Sequence, residues 1–242
     1  MNLLWLTDPH LNFLPGPAAS RMLGEYLCRE HVCDAVILSG DIAEAPSVRN
    51  LLVHFAQGVA PRPVYFVLGN HHEELTRKGF AGKRYEPMGA TDMGGKVRRE
   101  SCTGLILAGF PGSPRYSRET DQQYTDREIR WMMYKMWPKL MYYRLRYGRY
   151  VDVLISHTPP RFINDREDIP HRGFPPLRTF LSRFKPAVHL HGHIHIYDRN
   201  EKVETPFCET MVINVYPYRT IELTAEPHAR SSLIRESTPS NG

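Results

Sequence analysis

The sequence predicts a layered α/β domain, and three observations carry that reading. Short apolar runs recur at residues 3–6, 35–38, 64–68, 105–108, 151–155 and 187–190, each the length of a buried strand. Segments with helical periodicity lie between them, and such alternation packs helices onto sheets. A chain of 242 residues, 41% hydrophobic and 24% charged, is long enough for one sizeable core.

The elements follow in order. The first run has no basic flank before it and meets Asp8 at once, so it reads as a strand and not as a signal peptide. Residues 18–29 form a helix. Ser47 is placed to cap a second helix that carries Leu51, Leu52 and Phe55 on one face. Thr125 and Glu128 have capping-box spacing and open a third, with Ile129, Met132, Met133 and Met136 along one side. Pro138 is expected to end or kink it, a second segment running from Lys139 to near Gly148. Leu177, Phe180, Leu181 and Phe184 mark a helix after Pro175 and Pro176, and residues 210–223 read as further strands. Residues 1–228 form a single domain. Beyond His228 the composition turns polar, and residues 229–242 are expected to be a disordered tail. No run of about 18 apolar residues exists, so neither a membrane span nor a membrane partner is expected. Cys28, Cys33, Cys102 and Cys208 are scattered, which reads as reduced thiols in a cytoplasmic protein.

Metal-capable residues stand directly after five of these strands. They are Asp8-Pro9-His10, Gly40-Asp41, Gly69-Asn70-His71, Ser156-His157 and Gly192-His193-Ile194-His195. Ligands of an open α/β sheet collect beyond the carboxyl ends of its strands. Two aspartates, an asparagine oxygen and several imidazoles, with no thiolate, suit Mn²⁺, Fe, Zn²⁺ or Ni²⁺, or Mg²⁺. Asp8, His10, Asp41, Asn70, His157, His193 and His195 are too many for one ion. They suit two ions that share a carboxylate and keep open positions. Gly192 is expected to let the backbone turn tightly beneath His193 and His195.

The blocks DPH, GD, GNH, SH and GHIH, in that order, resemble the five signature blocks of the calcineurin-like metallophosphoesterase superfamily across roughly residues 1–200. SHTPP, His171-Arg172-Gly173 and KPAVHLHGHIH look like its phosphodiesterase-type members. The resemblance implies an αββα four-layer sandwich of two mixed β-sheets flanked by helices. It implies that Asp8, His10 and His195 hold a first divalent ion, that Asp41 bridges, and that Asn70, His157 and His193 hold a second. A metal-bound hydroxide would attack phosphorus in line, with His71 as general acid or charge stabiliser. The family often reads GNHD or GNHE, whereas His72 here displaces the acidic residue to Glu73. Either Glu73 still orients His71 or His72 touches substrate.

Other residues carry two readings each. His189 and His191 share a strand face opposite Val188 and Leu190, which suits buried, hydrogen-bonded histidines behind the ligands or a direct role. Asp168 and His171 lie in a polar loop that is either solvated or a substrate wall. Residues 109–113 are a plain turn or a pocket border. Residues 115–150 hold nine Lys/Arg against four Asp/Glu, interleaved with aromatics. That segment reads as a helix packing its Met, Trp and Tyr inward with a wet Arg face, as a cap over the metals, or as a nucleic-acid surface. The expected function is a dinuclear metal-dependent phosphodiesterase acting on small diesters such as cyclic nucleotides. The alternatives are a phosphomonoesterase or protein phosphatase, a nuclease, and a non-catalytic interaction module.

Overall fold

The computed structural model describes residues 1–44, 47–70, 89–117, 122–198, 201–214, 216–223 and, for the backbone, 235–236. The apolar runs form the centres of two six-stranded mixed sheets. In the first, β1 (Asn2–Leu6), β2 (Ala35–Ser39), β3 (Val64–Val67) and β4 (Ala90–Asp92) are parallel neighbours. In the second, β5 (Lys96–Arg99) is antiparallel to β6 (Ile106–Phe110). Strand β6 runs parallel to β9 (Val153–Ser156), which runs parallel to β10 (Val188–His191). The short pair β7 (Ser113–Pro114) and β8 (Gln123–Tyr124) stands apart. Strand β11 (Glu204–Phe207) pairs antiparallel with β12 (Thr210–Asn214), itself parallel to β10. Strand β13 (Tyr218–Glu222) returns antiparallel beside β1. Within the stretch expected to be disordered, Arg235–Glu236 forms β14 against β13, because that strand's free edge offers backbone partners. The rest of residues 229–242 lies outside the described residues.

Why the strands read as continuous apolar runs is now plain. Leu4 and Leu6 pack under α1 (Pro17–Glu30) and α2 (Val48–Val59), while Leu3 and Trp5 pack between the sheets. Both faces of β1 are buried, so its alternation disappears. The second sheet repeats the arrangement: Val153, Ile155, Val188 and Leu190 face the inter-sheet core. Its outer side packs α3 (Asp126–Tyr147) and α4 (Pro175–Phe184). Helices therefore flank two stacked sheets, an αββα sandwich. Each fully buried large side chain contributes about 1.5–3 kcal/mol.

Two helix ends differ from expectation. Ser47 occupies the cap position of α2, but its hydroxyl donates to the Glu44 carbonyl and accepts nothing from the helix. Helix α3 opens on the complete Thr125–Glu128 capping box and then runs unbroken through Pro138 to a left-handed Gly148. Pro138 stands on the exposed face with Tyr134, whose orphaned carbonyl water can satisfy. Met136 and Leu140 pack on either side of it and hold the helix together.

Candidate metal centre

The five polar blocks meet at one edge of the sandwich. Asp8 and His10 leave β1, Asp41 leaves β2, Asn70 leaves β3, His157 leaves β9, and His193 and His195 leave β10. Asp8, His10 and His195 offer ligand atoms within 4.8 Å of one another, and so do Asp8, Asp41 and His157. Asp8 is common to both groups. Its Oδ2 accepts from the Thr7 hydroxyl at 2.5 Å and the His193 amide at 3.1 Å. Its Oδ1 is buried and accepts no hydrogen bond among the described residues.

Reaching this geometry strains the chain. Asp8, His10, Asp41 and His193 all have positive φ, from 38° to 67°. Each left-handed non-glycine residue stores about 1–3 kcal/mol, and such strain gathers at functional sites. Gly192 serves by size and not by turning: its φ lies outside the left-handed region, and a Cβ there would sit 1.6 Å from Thr7 Oγ1 and 2.6 Å from Asp8 Oδ2. Its missing side chain is what lets β10 close against the end of β1.

The donor set suits a cation. His157 Nδ1 lies 3.1 Å from the Ser39 carbonyl, which can only accept, so Nδ1 bears a proton and, in the neutral ring, Nε2 bears the lone pair. That lone pair faces Asn70 Oδ1 at 2.9 Å and Asp41 Oδ2 at 3.5 Å. Asn70 Nδ2 points instead to the Tyr116 hydroxyl at 3.4 Å. In that tautomer three acceptors converge, an arrangement that a bound cation would reconcile. His193 Nε2 donates to the Pro170 carbonyl at 2.8 Å, which leaves Nδ1 as its lone-pair nitrogen. His195 stacks on Tyr216, ring centroids 4.4 Å apart, with Nδ1 3.1 Å from the Tyr197 hydroxyl.

Burial sets the protonation. It raises the Asp8 carboxyl to about 6, a rise moderated by His157 and reinforced by Asp41. It lowers His193 to about 3, with His157 adding to the effect, and lowers His195 as well, helped by His10. Neutral imidazoles are the form that binds metal.

The remaining predicted residues are distributed around this core. His191 is fully buried behind it. Its Nδ1 donates to the Gly192 carbonyl at 3.2 Å, and Asn164 Nδ2 donates to its Nε2 at 3.3 Å. Burial lowers its pKa to about 4. His189 is equally buried and bonds the Ser156 hydroxyl at 2.7 Å. His171 lines the pocket, 5.3 Å from the His193 ring, with exposed Asp168 paired to it at 2.5 Å. Of residues 109–113, Gly109 and Phe110 end β6 and Ser113 opens β7, and Gly112 between them ties elements together, donating to the Leu68 carbonyl and accepting from the Thr158 hydroxyl. His71, His72 and Glu73 lie outside the described residues.

An open cavity of about 390 Å³ reaches His10, Asp41, Asn70, His193 and His195. Tyr116, Arg166, Pro170 and Tyr197 complete its wall and were not singled out from sequence as site residues. Tyr116 did stand in the Arg/aromatic segment. Arg166 and Tyr197 arrive on loops without periodicity, so only the strand-end rule, extended to neighbouring loops, could have found them.

Comparison with known proteins bears on the family and the fold. The calcineurin-like phosphoesterase family profile matches residues 1–197. No curated protein sequence matches the chain significantly. The fold is similar to that of the protein TT1561 of Thermus thermophilus, at TM-score 0.58 and 13% identity over 88% of each chain. It is similar to the NAD nucleotidase NadN of Haemophilus influenzae, at TM-score 0.55 and 11% identity, over 98% of this chain and 49% of that one. It is also similar to a dimetal phosphatase from Danio rerio, at TM-score 0.50 and 11% identity, over 91% and 92%. Metal-capable side chains at the strand ends, an αββα sandwich and a family match over most of the chain lead to one conclusion: this protein belongs to the calcineurin-like phosphoesterase family.

Proposed function

We propose that the protein is a dinuclear metal-dependent phosphodiesterase acting on small phosphodiesters, cyclic nucleotides among them. Asp8, His10, Asp41 and His195 would hold one ion, and Asp41, Asn70, His157 and His193 would hold the other. Bound there, two divalent ions neutralise phosphoryl charge and lower the pKa of water. The chain's own residues position and protonate. Thr7 and the His193 amide fix one Asp8 oxygen and leave the other directed for binding. His71 gives its proton to the leaving ester oxygen as water adds to phosphorus and the P–O bond breaks.

The preference for a diester rests on the pocket wall. A monoester dianion calls for extra cationic groups. Arg166, the one arginine among the described lining residues, is already paired with Glu201 at 2.6 Å. Tyr116, Pro170, Ile194 and Tyr197 are neutral, and they suit the second substituent of a diester. Exposed Phe13, whose ring lies 5.7 Å from that of His10, extends the aromatic rim.

The test is hydrolysis of bis(p-nitrophenyl) phosphate against p-nitrophenyl phosphate by metal-stripped protein resupplied with Mn²⁺, Mg²⁺, Zn²⁺ or Ni²⁺. Metal-restored cleavage of the diester, well above that of the monoester, is expected. A monoester preference would assign a phosphatase instead. Asp41→Ala is expected to remove metal-dependent turnover. His71→Ala is expected to lower turnover about 10²–10⁴-fold while metal content holds. Loss of metal in that variant would make His71 a ligand.

A further inference from the structure

We propose that the outer face of α3 docks the protein onto an anionic lipid surface. The buried face of α3 carries Ile129, Met133, Met136, Leu140 and Tyr143. The opposite ridge should be the wettest part of the helix, yet it is apolar and aromatic. Trp131, Tyr134, Tyr142 and Leu145 are 60%, 57%, 55% and 83% exposed, and exposed Pro138 lies between them. Spacings of three, four and seven residues set them in one line, about 21 Å long at 1.5 Å per residue.

The shoulders of that ridge are cationic. From Ile129 to Tyr147 the helix contains Arg130, Lys135, Lys139, Arg144 and Arg146 and no acidic residue, while Arg149 past its end is paired with Asp152 at 2.6 Å. The chain's whole excess of +5 resides in residues 115–150, and the remainder is balanced. Lys135 and Arg146 lie over the rings of Trp131 and Tyr147, at 5.4 and 5.2 Å from their centroids, so cations and rings share one surface.

Charge and apolarity together select the occupant. A second copy of this face would oppose like charges. A nucleic-acid strand would satisfy the cations and could stack on the rings, but it offers nothing to Leu145 and Pro138. The headgroup–acyl boundary of an anionic membrane takes Trp, Tyr, Leu and Pro together and draws Lys and Arg to its phosphates. No helix among the described residues is long and apolar enough to cross a membrane, and the proposed contact uses one face of α3. Helix α3 itself begins near the pocket, because Tyr116 in the pocket wall is tied to Gln123 three residues before Asp126.

The test uses the full chain with vesicles of phosphatidylcholine alone or mixed with phosphatidylglycerol, by co-sedimentation at low and high salt. Binding to the mixed vesicles only, weakened by salt, is expected. Trp131→Ser with Leu145→Ser is expected to lower partitioning at least about tenfold. Neutralising Lys135, Lys139 and Arg146 to Gln is expected to lower it about a hundredfold. These side chains are exposed, so folding should persist. Without any substitution, Trp131 reports the same contact: Trp5 is buried and Trp137 half-buried, so vesicles should blue-shift and shield the one exposed indole. No preference for anionic vesicles, or binding that neither variant weakens, would overturn the proposal. Binding of single-stranded oligonucleotide without vesicle binding would overturn it too, as would self-association that the Trp131/Leu145 variant abolishes.

Discussion

At the scale of single residues, the site is made by what is missing as much as by what is present. The carboxyl end of β10 can approach β1 only because Gly192 has no side chain. Gly192→Ala is therefore expected to destabilise the protein by about 3 kcal/mol or more, or to push Thr7 and Asp8 aside and lose metal. Gly148→Ala is the control. That glycine has φ +75° at the end of α3 and nothing within 4 Å of its would-be Cβ, so it should cost about 1 kcal/mol and leave metal content alone. Thermal melts and metal analysis of both variants separate crowding at the site from general glycine strain. Equal losses in the two would sink the argument.

At the scale of elements, Pro138 shows how packing overrides propensity. Its imino nitrogen cannot bond the Tyr134 carbonyl, yet α3 continues through it. Pro138→Ala is expected to restore that bond and stabilise the protein by about 1–3 kcal/mol, read as a higher melting temperature. A lower melting temperature would mean that the proline ring itself packs. The same balance decides which elements the sequence makes legible. The six apolar runs all became strands because both of their faces are buried. Edge strands β5 and β11, reading Lys-Val-Arg-Arg and Glu-Thr-Pro-Phe, carry no such pattern, and their neighbours hold them by backbone pairing. The ligand candidates were legible because each directly follows a buried strand. Arg166 and Pro170 were not, since they stand in the loop between β9 and α4, whose course is set by local bonds such as Arg161 to Asp165 at 2.7 Å. The aromatic ridge of α3 was legible only as composition. Among the aromatics Tyr143 and, in part, Trp137 and Tyr147 pack inward with the methionines, while Trp131, Tyr134 and Tyr142 stay in solvent, a division that helical phase alone left open.

At the scale of the whole molecule, the candidate metal centre is a joint between the two sheets. Asp8, His10, Asp41 and Asn70 come from the first sheet, and His157, His193 and His195 from the second. Ions held by both groups would tie the sheets together at this edge and offset the strain stored in Asp8, His10, Asp41 and His193. An ion at about a hundred times its dissociation constant stabilises the folded state by about 2.7 kcal/mol. For a chain of this size that corresponds to roughly 5–10 °C in melting temperature per ion. Mn²⁺ added to chelator-treated protein is therefore expected to raise the melting temperature by at least this much, and Asp41→Ala to remove most of the rise. Hydrogen exchange gives the sharper reading. Protection should increase together after β1 and β2 in one sheet and after β9 and β10 in the other, since a bridging site cannot order one side alone. Protection confined to a single sheet would mean that the ions bind one group of ligands and that the sheets are joined at this edge only by packing.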